Sequence, residues 1–534
     1  MKRFVVGACA ALLAIAVSAP TAHATPPEFG TDWDDPRTAA PAITAPPTKS
    51  CTIDLVTYQF RDFTPYTGQY APPADCTGPW TKVVLRMDTT IKGRQYDRLG
   101  SLRVGDVTIF KTSTAEPSPD GIAWRVEKDI TAYAPLLRGN HPVWMLIGNV
   151  VNDTYTGILD TRVTLTFYGT GQGHGPAATA DDVIALTEQT QSDGALHGKV
   201  TIPANTERLI AEVHATGSGG GCEEFWYGTA PSATGYSCGT AENGPYREVQ
   251  VLIDGHVAGI AAPYPHIYTG GWSNPFLWYT IPAPRAFDIQ PLRYDLTPFV
   301  GALTDSAPHA VTVRTLGVPA GQAGWDTPIN FQAWRDHGST RVTGNLLTAK
   351  LGELTNDMRV YEDTDGKHVD VTAAHHFTAA GTVTTSHGRV VTTVTRDLAN
   401  DNRHHWGADE NPDTQHAWWT DRSVTAVSGA GVTTSAKRYT MDGTIAIGAG
   451  DRLRTDLALG DHAEDITAGR DGVHRRTLAD TFTGDATWTL GVPRPDRHAV
   501  GRSTQRYKVT GTDGCYDRTL QQVNGWFVRD DRAC

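Results

Sequence analysis

The stretch Thr161-Arg-Val-Thr-Leu-Thr-Phe-Tyr168, followed by Gly169-Thr-Gly-Gln-Gly-His-Gly-Pro176, decides the fold. In its first half apolar residues alternate with polar ones, and this alternation predicts an antiparallel strand with one buried face. The second half has a glycine at every other position up to Gly175, so its backbone is free and few side chains can pack. We therefore expect one domain to end here and another to begin.

Similar runs of β-branched and apolar residues between turn residues occur on both sides of this boundary. They predict strands at Lys82–Met87, Leu102–Phe110, Trp144–Val151, Glu207–His214, Glu248–Ile253, His309–Leu316, Gly381–Thr395, Ala426–Tyr439 and Arg502–Thr510. The helical stretches we expect are short, such as Asp181–Gln189. The predicted fold class is all-β, with two jelly-roll-like antiparallel β-sandwiches followed by a third β-rich C-terminal region.

The N-terminus is typical of an export signal. Lys2 and Arg3 form a positive region, Phe4–Val17 an apolar core, and Ala22-His23-Ala24 a cleavage site. The apolar core is shorter than the roughly 20 residues that span a bilayer, so we expect a secreted, extracellular protein without a membrane partner. The predicted organisation is a signal peptide at 1–24, a Pro/Ala/Thr-rich linker at 25–48, a first β-sandwich at 49–170, a Gly-rich linker at 171–180, a second β-sandwich at 181–358 and a C-terminal region at 359–534.

Composition excludes several classes of function. The 534 residues include 46 Lys and Arg against 58 Asp and Glu, a net charge of −12, which argues against a nucleic-acid partner. The sequence has neither a P-loop nor a G-x-G-x-x-G fingerprint, so it gives no support for a nucleotide cofactor. Cys9 lies in the signal, and the other six cysteines form three local couples that predict disulfides: Cys51 with Cys76, Cys222 with Cys238, and Cys515 with Cys534.

The most informative region for chemistry is Gly217-Ser-Gly-Gly-Gly-Cys-Glu-Glu-Phe-Trp-Tyr227. A glycine run lets backbone approach a ligand, and Glu223, Glu224, Trp226 and Tyr227 offer carboxylates beside aromatic faces, which suits a sugar. In an extended segment the two glutamates point to opposite faces, so one of them would serve the site. The alternative is a disulfide-bound loop whose acids are solvated.

A second constellation is Gly93-Arg-Gln-Tyr-Asp-Arg98, in which Arg94 and Arg98 flank Asp97. The arginines either hold a functional carboxylate ionised or form a surface ion-pair cluster. Nearby, Pro117 stops strand pairing after Glu116, which places this acid at a strand end where sites gather. Trp124 is a secondary candidate for stacking on a sugar and equally a core residue.

Two weaker signals have structural explanations that we favour. Ser237 lies in Gly235-Tyr-Ser-Cys-Gly239, but turn residues on both sides favour a loop pinned by Cys238 over a nucleophile elbow. His404, His405 and His416, with Asp409 and Glu410 between them, match no metal spacing, so a solvated loop is favoured over a metal or substrate contact. We expect no metal and no cofactor.

The sequence closely resembles the peptide-N4-(N-acetyl-β-glucosaminyl)asparagine amidases of the plant acidic type. The resemblance is strong over about residues 50–340 and weak beyond, with a poor match from Thr340 to Thr510. It runs through Gly93–Arg98, Phe110–Pro117, Gly121–Ile130, Val151–Gly157, Gly221–Tyr227, Gly244–Val249, Pro263–Gly271 and Tyr294–Phe299, and the end Cys515–Cys534 also looks like the family's C-terminus.

The resemblance implies hydrolysis of the amide that joins N-acetylglucosamine to Asn in N-glycopeptides or N-glycoproteins, under acidic conditions and without a required metal. We expect Asp97 to activate water, and Glu223 or Glu224 to bind the sugar or act as the acid beside a Trp226 platform. Glu116 is a third candidate acid, and Arg247 either clamps the peptide or forms a rim ion pair.

The site is predicted to lie between the two sandwiches, with Asp97 and Glu116 facing the Cys222 loop. Two rival functions have a similar composition: a non-catalytic glycan-binding protein and a two-carboxylate glycosidase. The protein is expected to be a monomer.

Overall fold

The computed structural model describes residues 27–217, 222–268, 274–322, 324–470, 472–512 and 514–534. The predicted signal peptide, the glycines 218–221 and the end of the motif at 263–271 lie outside these described residues. Within them the chain is built from antiparallel sheets, so the predicted all-β class is confirmed.

The first unit is a sandwich of two four-stranded sheets, with strand orders β1-β8-β3-β6 and β2-β7-β4-β5. Aromatic side chains join the two layers, as where the rings of Tyr70 and Phe167 stack 6.4 Å apart. The predicted strand Leu102–Phe110 is a hairpin that turns at Gly105 and Asp106, both of which have positive φ. The strands are β1 (Ser50–Phe60), β2 (Tyr66–Tyr70), β3 (Trp80–Ile91), β4 (Leu99–Val104), β5 (Val107–Ser113), β6 (Ile122–Asp129), β7 (His141–Ile147) and β8 (Leu159–Gly169).

The second unit pairs a five-stranded sheet, β10-β11-β17-β14-β15, with a four-stranded one, β16-β12-β19-β9, beside a small β13-β18 pair. The Tyr294 hydroxyl links the two layers by donating to the Val249 carbonyl at 3.0 Å. The elements are β9 (Asp182–Ala185), β10 (Thr187–Ser192), β11 (Ala195–Val200), β12 (Thr206–Val213), β13 (Thr216–Gly217), β14 (Glu248–Ile253), β15 (His256–Ala261), β16 (Leu292–Asp295), helix α1 (Val300–Leu303), β17 (His309–Leu316), β18 (Trp325–Asp326) and β19 (Ile329–Arg335).

The helix expected at Asp181–Gln189 is wrong, because this stretch forms β9 and the start of β10. β9 pairs with β19, and the Asp182 carboxylate accepts two hydrogen bonds from Arg335 at 2.5 and 2.6 Å. Tertiary pairing therefore overrides the weak local helix preference.

The C-terminal region is a single eleven-stranded antiparallel sheet, ordered β20-β22-β23-β24-β25-β26-β27-β28-β29-β30 with β21 added on β22. Burial alternates along its strands, so one face of the sheet is covered by the rest of the chain. The strands are β20 (Thr343–Leu351), β21 (Thr355–Glu362), β22 (Lys367–Thr385), β23 (Gly388–Trp406), β24 (Asp413–Val427), β25 (Gly431–Gly448), β26 (Arg452–Gly469), β27 (Gly472–Thr489), β28 (Val500–Gly511), β29 (Gly514–Val523) and β30 (Trp526–Arg532).

Other helices in the described part of the chain are single 3₁₀ turns at Ala74–Cys76, Thr131–Tyr133, Leu136–Arg138, Glu223–Gly228, Ser232–Thr234, Pro275–Leu277, Thr297–Phe299, Ala408–Glu410 and Arg494–Asp496. No helix among the described residues has the length and apolar character needed to cross a membrane.

The two sandwiches dock through β5. The Asn330 side chain on β19 accepts from the Thr108 amide at 3.1 Å and donates to the Thr108 carbonyl at 2.7 Å. Lys111 is buried in the same interface, where its ammonium donates to the His214 carbonyl, the Thr216 hydroxyl and Asp326. A buried cation with three acceptors ties the first unit rigidly to the second.

The large sheet lies against the second sandwich, to which it is joined by the ion pair of Arg285 with Asp461 at 2.6 Å. The segment 27–48, predicted as a linker, also packs on this sheet. Its Trp33 side chain is buried, and the Phe29 amide donates to the Ala499 carbonyl at 2.9 Å. The N-terminal segment therefore connects the first sandwich to the C-terminal region.

Two of the three predicted disulfides are present, Cys222–Cys238 and Cys515–Cys534, with Cα atoms 5.6 and 5.8 Å apart. The predicted Cys51–Cys76 bond is not formed, and both residues are thiols. The two side chains are nevertheless in hydrogen-bond contact, and burial followed by this contact raises the pKa of Cys51 to about 12. Proximity in sequence thus identified neighbours correctly but not their covalent state.

Candidate active site

Asp97 and Glu116 are brought together by the β4–β5 pairing. Leu99 lies opposite Ser113 in this antiparallel pair, so the loop before β4 meets the loop after β5. The Arg98 amide donates to the Thr114 hydroxyl at 2.9 Å, and the Thr114 amide donates to the Arg98 carbonyl at 2.9 Å. The loop ahead of Arg98 and the loop behind Thr114 consequently hold their acids side by side.

A third loop, 149–157 after β7, braces this arrangement. The amides of Thr156 and Gly157 both donate to the Arg94 carbonyl at 2.9 Å. The buried Gln95 side chain donates to the Val150 carbonyl at 2.9 Å and accepts from the Arg98 guanidinium at 2.5 Å. The backbone between Arg94 and Arg98 is therefore fixed on both sides.

Glu116 is the most perturbed acid of this region. Its side chain is only 7% exposed, and burial, followed by the charge of Asp97, raises its pKa well above the usual value. The guanidinium groups of Arg494, Arg94 and Arg98 act in the opposite direction without cancelling this effect. Burial beside a second carboxylate therefore favours the protonated form of Glu116, which is the state that a proton donor needs.

Glu224, in the 3₁₀ segment after Cys222, is a further acid with a raised pKa. It is half-buried, and burial raises its pKa. The buried Tyr268 hydroxyl lies within electrostatic range of both Glu224 and Asp97, and these two charges, after burial, raise its pKa. Asp97 therefore lies within electrostatic range of Glu116 and of Tyr268, and Glu224 lies within electrostatic range of Tyr268.

Glu223 faces away from this region, which corrects its assignment as a substrate contact. Its carboxylate accepts from Arg247 at 2.7 and 2.9 Å and from the Trp325 indole at 2.6 Å, and all of these groups are buried. Arg247 also donates to the carbonyls of Gly244 and Tyr246. Because both side chains are engaged in these buried contacts, neither is available to clamp a peptide. Arg247 forms a buried ion pair, so it fits neither the predicted peptide clamp nor the predicted ion pair at the rim.

The predicted aromatic platforms are also corrected. Residues Glu223–Gly228 form a 3₁₀ turn rather than an extended segment, and this turn sends Trp226 into the core against Trp325 and Trp419. Tyr227 is fully buried. Trp124 is buried as well and stacks on Phe287 with ring centroids 6.1 Å apart, so it fits the core alternative.

An exposed aromatic pair that the sequence reasoning missed lies beside Asp97. Tyr96 is 47% exposed, and its ring centroid lies 5.1 Å from that of Tyr155. The Arg94 guanidinium lies 5.5 Å from the Tyr155 ring. Both tyrosines occur in motifs that carry the family resemblance, so the signal was present in the sequence but was assigned to other residues.

The histidine group does not form a site in the described structure. His404 is buried in β23 and bonded to Asp413 at 2.7 Å, and His416 on β24 is paired with Asp442 at 2.8 Å, so these residues lie in strands rather than in a solvated loop. Ser237 bonds through its amide and hydroxyl to Glu410, in keeping with a pinned loop. Among the described residues, three possible metal ligands come within 4.8 Å of one another elsewhere, at Glu207, Asp336 and His387.

An all-β chain that gathers acids of differing pKa is typical of hydrolases that work with paired carboxyl groups. The chain matches the family described as Peptide N-acetyl-beta-D-glucosaminyl asparaginase amidase A over residues 40–349. It is 30% identical over 423 residues to the peptide-N4-(N-acetyl-beta-glucosaminyl)asparagine amidase A of Prunus dulcis, covering 73% of this chain and 71% of that protein. The chain belongs to this peptide N-glycanase amidase family, as its sequence motifs predicted.

Solved structures of PNGF-II in two crystal forms are also similar to this chain. Each is 13% identical and covers 54% of this chain, with TM-scores of 0.36 and 0.37. The chain spans 65% and 66% of their lengths, just under two thirds.

Proposed function

We propose that this protein hydrolyses the amide between N-acetylglucosamine and Asn in N-glycopeptides, with Asp97 and Glu116 as its catalytic pair. The reaction converts Asn to Asp and releases the intact glycan as a glycosylamine. Family membership supports the reaction class. The single observation that supports the site is the buried Glu116 at the meeting point of three braced loops, with its pKa raised by burial and by the charge of Asp97.

Asp97 is the base in this proposal. It is partly exposed, so water reaches it, and it lies between Arg94 and Arg98 in the sequence. It takes a proton from water while the water oxygen attacks the side-chain carbonyl carbon of Asn. An aligned base of this kind contributes about 10²- to 10⁴-fold to the rate.

Glu116 is the acid. Amide cleavage needs a proton on the departing nitrogen as the carbon–nitrogen bond breaks, and a carboxyl kept neutral by burial supplies it. The raised pKa keeps this proton in place to a higher pH than in an ordinary glutamate. At the end of the step Asp97 has gained a proton from water and Glu116 has given one to the departing nitrogen. The number of protons on the pair is therefore unchanged.

Glu224 binds the sugar from the opposite side. A half-buried carboxyl accepts hydrogen bonds from sugar hydroxyl or N-acetyl groups, and the neighbouring Tyr268 phenol lies within electrostatic range of it. Tyr96 and Tyr155 present aromatic faces at the rim, where the apolar face of a pyranose can stack.

The test is mass spectrometry of a defined N-glycopeptide incubated in ¹⁸O water with the mature protein and with Asp97→Asn, Glu116→Gln and Glu224→Gln. The wild type is expected to yield ¹⁸O-labelled Asp and the whole glycan. Asp97→Asn and Glu116→Gln are expected to lower kcat about 100-fold or more. Glu224→Gln is expected to act mainly on KM.

Glu362→Gln is the matched control, because Glu362 is an exposed glutamate on β21, far from the acids. Its activity should equal that of the wild type. A sugar left on Asn would indicate a glycosidase, and an unchanged glycopeptide would indicate a binding protein. Either result overturns the proposal, as does full activity of Asp97→Asn.

We also propose that the protein is exported and monomeric. The basic and apolar N-terminus and the two disulfides support export. The burial of one face of the large sheet within its own chain supports a monomer. N-terminal sequencing of secreted protein and light scattering test the two statements, which fail if residues 1–24 are retained or if a dimer mass is found.

A further inference from the structure

We propose that an apolar rim, formed by Phe63, Val150 and Val151 on the loops beside Asp97, binds apolar side chains of the peptide that carries the glycan. This inference rests on the proposed function and adds to it a preference within the peptide part of the substrate. Among the described residues before β20, the large apolar or aromatic side chains that are exposed are Phe63, Tyr96, Val150 and Val151. Phe63 is 66% exposed, and each valine is 39% exposed. Exposed apolar surface in this part of the chain is therefore concentrated on the loops of the candidate site.

The segment that follows β7 runs along the chain on both sides of Asp97. The Gly148 amide donates to the Leu99 carbonyl, just after Asp97, at 3.4 Å. The Gln95 side chain, just before Asp97, donates to the Val150 carbonyl at 2.9 Å. The valines of the rim and the proposed base therefore lie on two segments that are hydrogen-bonded to each other.

Phe63 is attached to the same segment from the other side. Its ring lies over Gly148, where an added Cβ would be only 2.7 Å from the ring. The Asn149 amide donates to the Asp62 carbonyl at 3.3 Å. The Asp62 carboxylate accepts from the Thr64 amide at 2.7 Å, which closes a tight turn around Phe63. The phenyl ring is therefore presented to solvent on a fixed turn.

The buried Asn149 side chain holds the two valines in place. Its nitrogen donates to the carbonyls of Phe60 at 3.0 Å and Gly157 at 3.1 Å, and its oxygen accepts from the Val150 amide at 2.9 Å. Past the valines, the Asn152 side chain accepts from two amides of the following turn at 2.8 and 2.9 Å. A surface that is held in this way binds a ligand at little cost in ordering.

The chemistry of the rim fits the peptide part of the substrate. The two isopropyl groups offer neither an aromatic face nor a hydrogen-bonding atom, so they suit an apolar side chain better than a sugar. In the proposed reaction the Asn that reaches Asp97 has peptide neighbours on both sides, and the rim lies beside Asp97. The tyrosine pair and Glu224 serve the sugar, and the rim serves the residues next to the glycosylated Asn.

The experiment uses two N-glycopeptides with the same length and glycan, one with leucine and the other with serine on each side of the glycosylated Asn. The wild type is expected to cleave the leucine peptide with a kcat/KM about fivefold to tenfold higher. Phe63→Ser and Val151→Thr are expected to reduce this preference to about twofold or less, with unchanged thermal midpoints. Phe63→Leu keeps an apolar side chain and should retain the preference. Val473→Thr is the matched control, because Val473 is a valine of β27 that is 62% exposed.

Inhibition by the two products separates the two parts of the substrate. The free Asp-containing leucine peptide should inhibit the wild type more strongly than the serine peptide. Phe63→Ser and Val151→Thr should weaken inhibition by the leucine peptide and leave inhibition by the free glycan unchanged. Weaker inhibition by the glycan instead would assign the rim to the sugar and overturn the inference.

The failure of this inference differs from the failure of the proposed function. Equal cleavage of the two glycopeptides by the wild type, or a preference that persists in both rim variants, overturns the inference and leaves the amidase activity standing. Wild-type protein that cleaves neither glycopeptide overturns the proposed function.

Discussion

Arg247 and Glu223 form a fully buried, two-pronged ion pair, with Nη2 to Oε1 at 2.7 Å and Nε to Oε2 at 2.9 Å. The pair joins the disulfide-pinned 3₁₀ segment to the start of β14, and the neighbouring Glu224 lies within electrostatic range of Tyr268. Two adjacent glutamates thereby have different surroundings, since Glu223 is buried in an ion pair and Glu224 is half-buried outside that pair.

Breaking this pair is expected to destabilise the fold. Glu223→Ala leaves a buried guanidinium without its carboxylate, which costs about 3–5 kcal/mol. Urea unfolding followed by tryptophan fluorescence measures the loss. Glu224→Gln is the matched comparison, because its carboxyl is not in that pair, and it should keep wild-type stability while glycopeptide affinity falls. Equal stability of Glu223→Ala and wild type would contradict the assignment.

Asp97→Asn should change the titration of its neighbour as well as the rate. The charge of Asp97 raises the pKa of Glu116, so removing that charge should lower the Glu116 pKa. Glu116 would then lose its proton at a lower pH and be less available as a proton donor. The expected result is a loss of kcat together with a lower titration midpoint of the Glu116 carboxyl. NMR of protein labelled with ¹³C at glutamate Cδ measures this midpoint, and the Glu116 resonance is assigned by its loss in Glu116→Gln. Loss of activity with an unmoved midpoint would mean that the two acids are not coupled.

The exposed and buried aromatic residues should respond differently to truncation. Trp226→Ala removes a core side chain that is 2% exposed and should cost about 3–5 kcal/mol of stability. Tyr96→Ala removes an exposed ring and should leave the thermal midpoint unchanged while raising KM for glycopeptides. The opposite result is a Trp226→Ala variant that remains folded but has a raised KM for glycopeptides. That result would support the predicted role of Trp226 as a stacking platform for the sugar.

Local patterns in the sequence were sufficient for some parts of this structure. The alternation at Thr161–Tyr168 predicted β8, because this pattern follows from neighbouring residues. The strand end predicted at Glu116 from Pro117 is wrong in detail, because β5 ends at Ser113 and Glu116 lies in the loop that follows. The same alternation could not predict that the C-terminal strands form one eleven-stranded sheet, since strand pattern does not specify the partners of a strand.

In the candidate site, too, local features could be predicted from the sequence and long-range contacts could not. Asp97 and Glu116 could be proposed from the sequence because each lies in a short motif with its own arginines or proline. The different surroundings of Glu223 and Glu224 depend on where Arg247 lies in the folded chain. Such long-range relationships leave no motif or characteristic residue spacing in the sequence by which they could be predicted.

A buried acid in the C-terminal sheet makes stability depend on pH. Asp480 on β27 is 5% exposed, and burial, with help from Asp461, raises its pKa to about 7 although Gln505 donates to it at 2.8 Å. Because the folded-state pKa exceeds the unfolded value, this group favours folding fully below about pH 4 and progressively less as pH rises to 7. The loss is at most about 1.4 kcal/mol per pH unit.

Asp480→Asn should remove this dependence, because an amide oxygen still accepts the hydrogen bond from Gln505 and cannot ionise. The variant should therefore be more stable than wild type at pH 8 and gain less at pH 5, as measured by urea unfolding at both values. Asp485→Asn, an exposed aspartate on the same strand, controls for a general charge effect. An equal gain at both pH values would show that Asp480 is ionised throughout this range in the folded protein.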